Sequence, residues 1–529
     1  MTHLRRAVPL LLASVLALLL PACLSSSDIQ CSNQTVRCGD TCVATQTDPK
    51  NCGSCGSACI QGNVCVAGSC VCPAGAISCG GTCTFLSGDP NNCGACGNVC
   101  GPGNICSGAS CFACTGGDGG VPAQCQLSLL AGCINDPTSG MREVTYDTAF
   151  HLTLSPVQAP SGATFPDALG FLGANVLYSD HDRASILEVP LSDLTLKSAE
   201  MLPLTNPTTG SVAGTTQVFT EAHGTGSRVY AMASSINTLR IFDSPLPPDA
   251  GSIALSGGGV GALGLVASGG YAFNPGSFPE PFARLNDGTS NAVFVPLNVG
   301  DSVVRLEVSN PAAPTPVDSY DLTPAVASLP GGGILPDGGM YAASATQAIL
   351  RNGKVYVALN VLRFRPDFHA DYGPGLVAVI DPTKAGAAAL TPLPLDPNEC
   401  QNVEWLARVP AASGDQMLVS CSGARTYDSN FNITSVAKTA LVLLGANDQR
   451  LAAWVPDNAP GAGGANPPSV GRAIPLGSRV YVADETASRL YVVEMVNNTL
   501  VQRVGYADGG TPPQLCNSFL IDLQPVPLP

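Results

Sequence analysis

Short apolar runs with β-branched residues recur along the C-terminal three-quarters of the chain. Six of them occupy residues 174–178, 228–232, 291–295, 354–358, 416–420 and 479–483, and each is followed by a second run at 185–189, 238–242, 302–306, 375–379, 439–443 and 489–493. Runs of this length, rich in Val, Leu and Tyr and separated by Gly and Pro, read as strands rather than helices. Taking Val176, Val229, Val293, Val355, Leu418 and Val480 as markers, the steps are 53, 64, 62, 63 and 62 residues. Strand pairs repeated at a near-constant step indicate a repeat architecture, and a unit of about 60 residues fits a propeller blade of four strands. The fold class expected is therefore mainly β, with a six- or seven-bladed β-propeller. Strands from the two ends, near 144–154 and 516–523, are the candidates to close the ring as a shared or seventh blade. Between 325 and 350, Gly331 to Gly333 and Gly338-Gly339 favour loop over helix.

The last unit is the clearest. Its Tyr481-Val482-Ala483-Asp484 resembles bacterial envelope propeller repeats, in which a Tyr-Val-x-Asx turn links two middle strands, and the stretch 354–382 shares the likeness.

The N-terminus has a different pattern. Arg5 and Arg6 precede an apolar run over 7–20, which ends in Leu20-Pro21-Ala22-Cys23 before Ser25-Ser26-Ser27-Asp28. A charged start, a run too short to span a bilayer and small residues at its end describe a secretory signal. These residues resemble a bacterial lipoprotein signal, which implies lipidation of Cys23 and cleavage before it. Two or three acyl chains make a durable anchor. Leu24 follows the cysteine where an inner-membrane retention signal usually has Asp, so the resemblance points to the outer membrane. The alternative is an ordinary signal peptide with Cys23 free or disulfide-bonded. No other apolar segment reaches 18 uninterrupted residues, so no helix is expected to cross a membrane.

Nineteen of the 23 cysteines fall between Cys31 and Cys133. Cys31, Cys38, Cys42, Cys52, Cys55, Cys59, Cys65 and Cys70 recur 41 residues later as Cys72, Cys79, Cys83, Cys93, Cys96, Cys100, Cys106 and Cys111. The text around them repeats too, as in Asn51-Cys52-Gly53-Ser54-Cys55-Gly56 and Asn92-Cys93-Gly94-Ala95-Cys96-Gly97. A unit this small cannot bury a sufficient core and needs covalent staples, which an exported chain can form. Eight cysteines leave the connectivity open. Structural zinc on the Cys52-x-x-Cys55 and Cys93-x-x-Cys96 doublets is the rival reading, but zinc-ribbon doublets sit closer together than these. The pattern resembles the stigma-specific Cys-rich secreted proteins of plants, which implies an extracellular interaction module without enzyme activity.

The expected organisation is a signal peptide over 1–22, an anchor linker over 23–30, a Cys-rich tandem repeat region over 31–133 and a propeller-like domain over 134–529. With Cys23 lipidated, an odd number of cysteines remains on each side of that last boundary, because only Cys400, Cys421 and Cys516 lie in the large domain. Either a disulfide joins the two regions, with Cys114, Cys125 and Cys133 as candidates on one side, or each side leaves a thiol free; the bridge is the expectation, because a free thiol is a liability in an oxidising compartment.

Composition narrows the function. The 58 Gly and 44 Pro, with 12% charged and 5% aromatic residues, exclude coiled coils and helical solenoids. The net charge of −15, with no Lys or Arg cluster, leaves no footprint for nucleic acid. Gly259-Val260-Gly261-Ala262-Leu263-Gly264 matches a dinucleotide fingerprint, but prolines at 275, 279 and 281 replace the helix it needs, so it reads as a loop. Asp180-His181-Asp182 and His369-x-Asp371 are the groupings that could hold a cation, with solvated turns as the plainer account. With the bacterial origin that the lipoprotein resemblance implies, the sequons at Asn33, Asn432 and Asn497 read as coincidental. No catalytic residue, metal or cofactor is assigned. The expectation is a lipid-anchored envelope protein that presents a propeller and a disulfide module to a protein or glycan partner. The alternatives are a propeller enzyme, such as a lactonase or quinone-dependent dehydrogenase, or a structural coat component. An enzyme should bring several carboxylate, Asn or His groups together at a channel mouth.

Overall fold

In the computed structural model the described residues are Cys31, short segments between 35 and 112, and most of 127–526. The longest stretches left out of that last span are 204–214, 247–264, 458–466 and 505–511. Residues 1–30, and with them the expected signal and Cys23, lie outside the described set, as does the 259–264 motif.

The chain divides into two compact units, Met1–Val71 and Cys72–Pro529. In the first, two hairpins, Val36–Cys38 with Thr41–Val43 and Val64–Val66 with Ser69–Val71, are held by four disulfides. These are Cys31–Cys42, Cys38–Cys55, Cys52–Cys65 and Cys59–Cys70. The Cys52-x-x-Cys55 doublet is thus split between two bridges. The sulfurs of Cys52, Cys59 and Cys70 lie within 4.8 Å of one another, but both bridges consume their thiolates, so they are not a zinc set.

The second unit begins with the hairpins Ile77–Cys79 with Thr82–Thr84 and Ile105–Ser107 with Ser110–Phe112. Cys79 bonds Cys96. Beyond them stands a seven-bladed β-propeller. Blade 2 runs from Pro166 to Pro203, blade 3 from Gln217 to Ala272, blade 4 from Ala283 to Asp321, blade 5 from Ala345 to Pro394, blade 6 from Val403 to Trp454 and blade 7 from Val470 to Val504. In each, four antiparallel strands follow one another, innermost first. The six sequence pairs are the second and third strands of these blades. Those strands are covered on both faces, so they read as continuous apolar runs: every residue of Leu376–Ile380 and of Ala440–Leu444 is buried.

Blade 1 joins the two ends of the domain. Leu127–Ile134, Gly140–Tyr146 and Leu152–Leu154 supply three strands, and the C-terminal Phe519–Pro525 pairs with Leu127–Ile134 as the innermost. Cys133 bonds Cys516 beside this seam, across 383 residues of chain. The bridge expected from parity is therefore present, but it serves a different purpose. Cys133 belongs to the propeller's own first strand, ahead of the boundary expected at 134, and its bond closes the ring. The other two large-domain cysteines, Cys400 and Cys421, bond each other within blade 6. The side chains of Cys72, Cys83, Cys93, Cys100, Cys106, Cys111, Cys114 and Cys125 lie outside the described set.

Seven hydrophobic clusters fill the seven seams between neighbouring blades. One joins Phe294 and Val303 of blade 4 to Val357 and Leu376 of blade 5, and another joins Tyr481 and Val492 of blade 7 to Leu129 and Val144 of blade 1. The innermost strands have an open edge toward the axis, a liability that side chains from preceding blades relieve. Backbone N–H groups of Leu169, Phe282 and Leu406 donate to Asp522, Gln217 and Gln347 at 2.9, 3.0 and 2.6 Å. Between blades 4 and 5 the expected loop contains a short helix, Thr323–Ala327, and a tight turn over Pro330–Gly333. Among the described residues no helix is long and apolar enough to cross a membrane.

Candidate functional site at the propeller mouth

Strand direction decides which loops can meet. Because the four strands of a blade alternate in direction, the loop joining strands two and three emerges on the same face as the connection into the next blade. That face gathers the start of each innermost strand with the ends of each second strand.

At blades 6 and 7 this face holds a continuous polar network. Glu404 and Trp405 lie at the start of the innermost strand Val403–Val409. Glu485 directly follows the second strand Arg479–Asp484. Arg425 comes from a hairpin, Ala424–Tyr427 with Ile433–Ala437, inserted between the middle strands of blade 6. Its guanidinium donates to Glu485, stands 3.7 Å from Glu404 and donates to Ser469 Oγ at 3.2 Å. Trp405 Nε1 donates to Glu485 at 3.2 Å, and Asn402 Nδ2 donates to Glu404 at 3.0 Å. Gly471 lies under Glu485, where any Cβ would strike the Glu485 side chain.

The network continues to both sides. Arg472 covers the Trp405 ring at 5.2 Å and pairs with Asp522 on the innermost strand of blade 1. Asp522 also accepts from Gln524 Nε2 at 3.0 Å and from the Leu169 N–H of blade 2. On the other side, Tyr372, from the corresponding hairpin of blade 5, hydrogen-bonds Tyr427, whose ring stacks on His369 at 5.9 Å. Four blades thus supply one site.

Its electrostatics are those of charges crowded together at low hydration. Burial pushes the Glu485 carboxyl well above the usual carboxylate range, and the Glu404 carboxylate pushes the same way against the pull of Arg425. Burial alone would lower Arg425, but Glu485 and Glu404 outweigh it and raise the guanidinium further. Burial, with Tyr427, raises the Tyr372 phenol. The cluster is still reachable: Arg425, Glu404 and Glu485 side chains are 17, 19 and 23% exposed, enough for a solute to touch them.

The sequence candidates fall at or beside this face, with other tasks. Asp180 and Asp484 occupy the same place in blades 2 and 7, buried at the end of the second strand. Asp484 accepts from the N–H groups of Ser469 and Thr486 at 3.1 and 3.0 Å, and Asp180 from Thr164 N–H and hydroxyl at 3.1 and 2.5 Å. Asp484, the Asx of Tyr481-Val482-Ala483-Asp484, closes its own turn through Thr486, whereas Asp180 ties the end of its strand to Thr164. His181 pairs with Asp167 at 2.8 Å, and Asp182 lies outside the described residues. Asp371 accepts from Arg363 at 2.6 Å, and His369 faces Asp367 at 3.6 Å and Tyr427. Among the described residues neither grouping gathers three ligand atoms for a cation.

Glu404, Arg425, Arg472, Glu485 and Asp522 escaped the sequence reading because no motif links residues so far apart. One signal was present: Glu485 follows Asp484 as His181 follows Asp180, so repeat alignment places both at the mouth.

No family model matches the chain, and no curated relative matches it. Several solved structures are similar. One is a protein from Lactobacillus plantarum, with 13% identity, a TM-score of 0.46 and coverage of 76% of this chain and 100% of that one. Another is a putative 6-phosphogluconolactonase from Bacteroides fragilis, with 10% identity, a TM-score of 0.44 and coverage of 76% and 98%. A periplasmic gluconolactonase from Pseudomonas aeruginosa has 11% identity, a TM-score of 0.32 and coverage of 77% and 100%. At these identities the likeness concerns fold and carries no argument about activity.

Proposed function

We propose that the chain is an exported envelope protein, anchored by lipid at Cys23, whose propeller mouth binds a polyhydroxylated, sugar-like ligand. The observation that carries the binding reading is the mouth network itself. Carboxyl groups that accept from hydroxyls, guanidinium groups that donate to them, and the rings of Trp405, Tyr372 and Tyr427 form the donor, acceptor and apolar mixture that a sugar ring presents in complement. Export is supported by seven disulfides among the described residues, which need an oxidising compartment. An array of envelope glycans tests the binding: Trp405→Ala and Arg425→Ala should each abolish retention while the far-ultraviolet circular dichroism stays unchanged. Retention by both variants would refute it. Palmitate labelling tests the anchor, since Cys23→Ser should lose the label and the membrane fraction together.

A second reading is favoured by one feature, the raised Glu485 carboxyl beside the Glu404 carboxylate. A carboxyl held above its usual range beside a second carboxyl is a setting in which an acid and base pair can be built, and it fits hydrolysis of a sugar lactone or related ester at the same mouth. Turnover of glucono-δ-lactone above the spontaneous rate, lost in Glu485→Gln, would establish it. No turnover by the native chain would leave binding alone.

A further inference from the structure

We infer that the mouth accepts an uncharged saccharide and rejects its uronate and phosphorylated counterparts; this rests on the binding reading above and assigns its ligand class.

The argument is one of charge already committed. A site for an anionic sugar holds at least one guanidinium or ammonium whose partner is the ligand. Within the network itself both guanidinium groups are taken: Arg425 is held by Glu485 and faces Glu404 at 3.7 Å, and Arg472 is held by Asp522. An anion could engage either arginine only by displacing a carboxylate that would stay behind, half-buried and facing the newcomer. Leaving a charge unpaired at low hydration costs more than a new pair returns. The paired groups can instead meet neutral hydroxyls without losing their partners, because a carboxylate oxygen accepts more than one hydrogen bond and a guanidinium has five donors.

A second observation points to an occupant of the same place. Asn402 is 2% exposed and its amide N–H donates to Glu404, so its side chain lies in the network. Its Oδ1 nevertheless has no hydrogen-bond partner. A buried amide oxygen left unmet beside two carboxyl groups calls for a donor, and a neutral hydroxyl supplies one where an anion supplies none.

The test is a matched pair of ligands on the intact, disulfide-bonded chain. A galactose trimer and a galacturonic acid trimer differ only in oxidation at C6, and calorimetry or ligand-observed NMR compares them at low ionic strength. The uronate should bind roughly tenfold or more weakly than the neutral trimer. Glu404→Gln, which frees part of Arg425, should narrow that gap. Equal or tighter binding of the uronate overturns the assignment of ligand class while leaving the mouth a sugar site. Binding of neither trimer, with a broader neutral panel also silent, overturns the sugar reading and this inference with it.

Discussion

Removing the ring-closing disulfide is the sharpest test of how this propeller holds together. Cys133 and Cys516 tie the first and last strands across 383 residues, whereas Cys400 and Cys421 close only 21. If a disulfide acts chiefly by restricting the unfolded chain, the loop-entropy relation assigns about 6 kcal/mol to the first bridge and about 3 kcal/mol to the second at 25 °C. All four cysteines are essentially fully buried, so a Cys→Ala pair leaves similar small cavities at either site and that cost cancels in the comparison. The expected result is that Cys133→Ala with Cys516→Ala lowers unfolding free energy by about 3 kcal/mol more than Cys400→Ala with Cys421→Ala. Urea unfolding followed by the fluorescence of Trp405 and Trp454 reads this as a difference in extrapolated unfolding free energy, with a steeper slope where the unfolded chain loses its long cross-link. A ring-closing variant that loses no more stability than the blade 6 variant would refute the reasoning. It would mean that pairing of Phe519–Pro525 with Leu127–Ile134 and the cluster around Leu129 and Leu523 already hold the seam without covalent help.

Other expectations follow from single residues. Arg351 is fully buried at the seam of blades 5 and 6, donating to Asp415 O at 2.8 Å, to Asp448 at 2.5 Å and to Gly445 O, with its plane 4.9 Å from the Tyr356 ring. Arg351→Ala should cost roughly 3 to 5 kcal/mol, measured by the same urea titration, because it orphans these acceptors. Burial pushes the Glu280 carboxyl up to about 8, above its ordinary 4.5. The folded state therefore holds a proton that the unfolded chain releases, so stability falls as pH rises from about 4.5 to 8, and Glu280→Gln should flatten that slope in melting temperature against pH. Gly471→Ala should displace Glu485, whose Cγ the new Cβ would strike, lowering the melting temperature and abolishing glycan retention measured well below it. The first unit's bridges, shifted by 41 residues, map onto Cys72–Cys83, Cys79–Cys96, Cys93–Cys106 and Cys100–Cys111. Cys79–Cys96 is already observed, and peptide mapping without reductant should recover the other three with Cys114–Cys125.

What the chain declares on its own is what repeats. Strands covered on both faces must be apolar at nearly every position, so the middle pairs of six blades stand out as periodic runs around Val176 through Val480. Cysteine spacing is as plain, because a small unit has no other means of support. Parity left either a bond across the region boundary or a free thiol on each side, since oxidised cysteines pair by twos. It could not say that Cys133 lies on a propeller strand, because that depends on Phe519–Pro525 returning to pair beside it. The innermost strands, such as Val403–Val409 and Val470–Leu476, mix polar and apolar residues and carry little signal. They are where Glu404, Arg472 and Asp522 sit, separated by up to 118 residues of chain and joined only when the ring closes. Local physics decided the strands and the staples. The site was decided by the circular order of the blades, which places the ends of distant strands on one face.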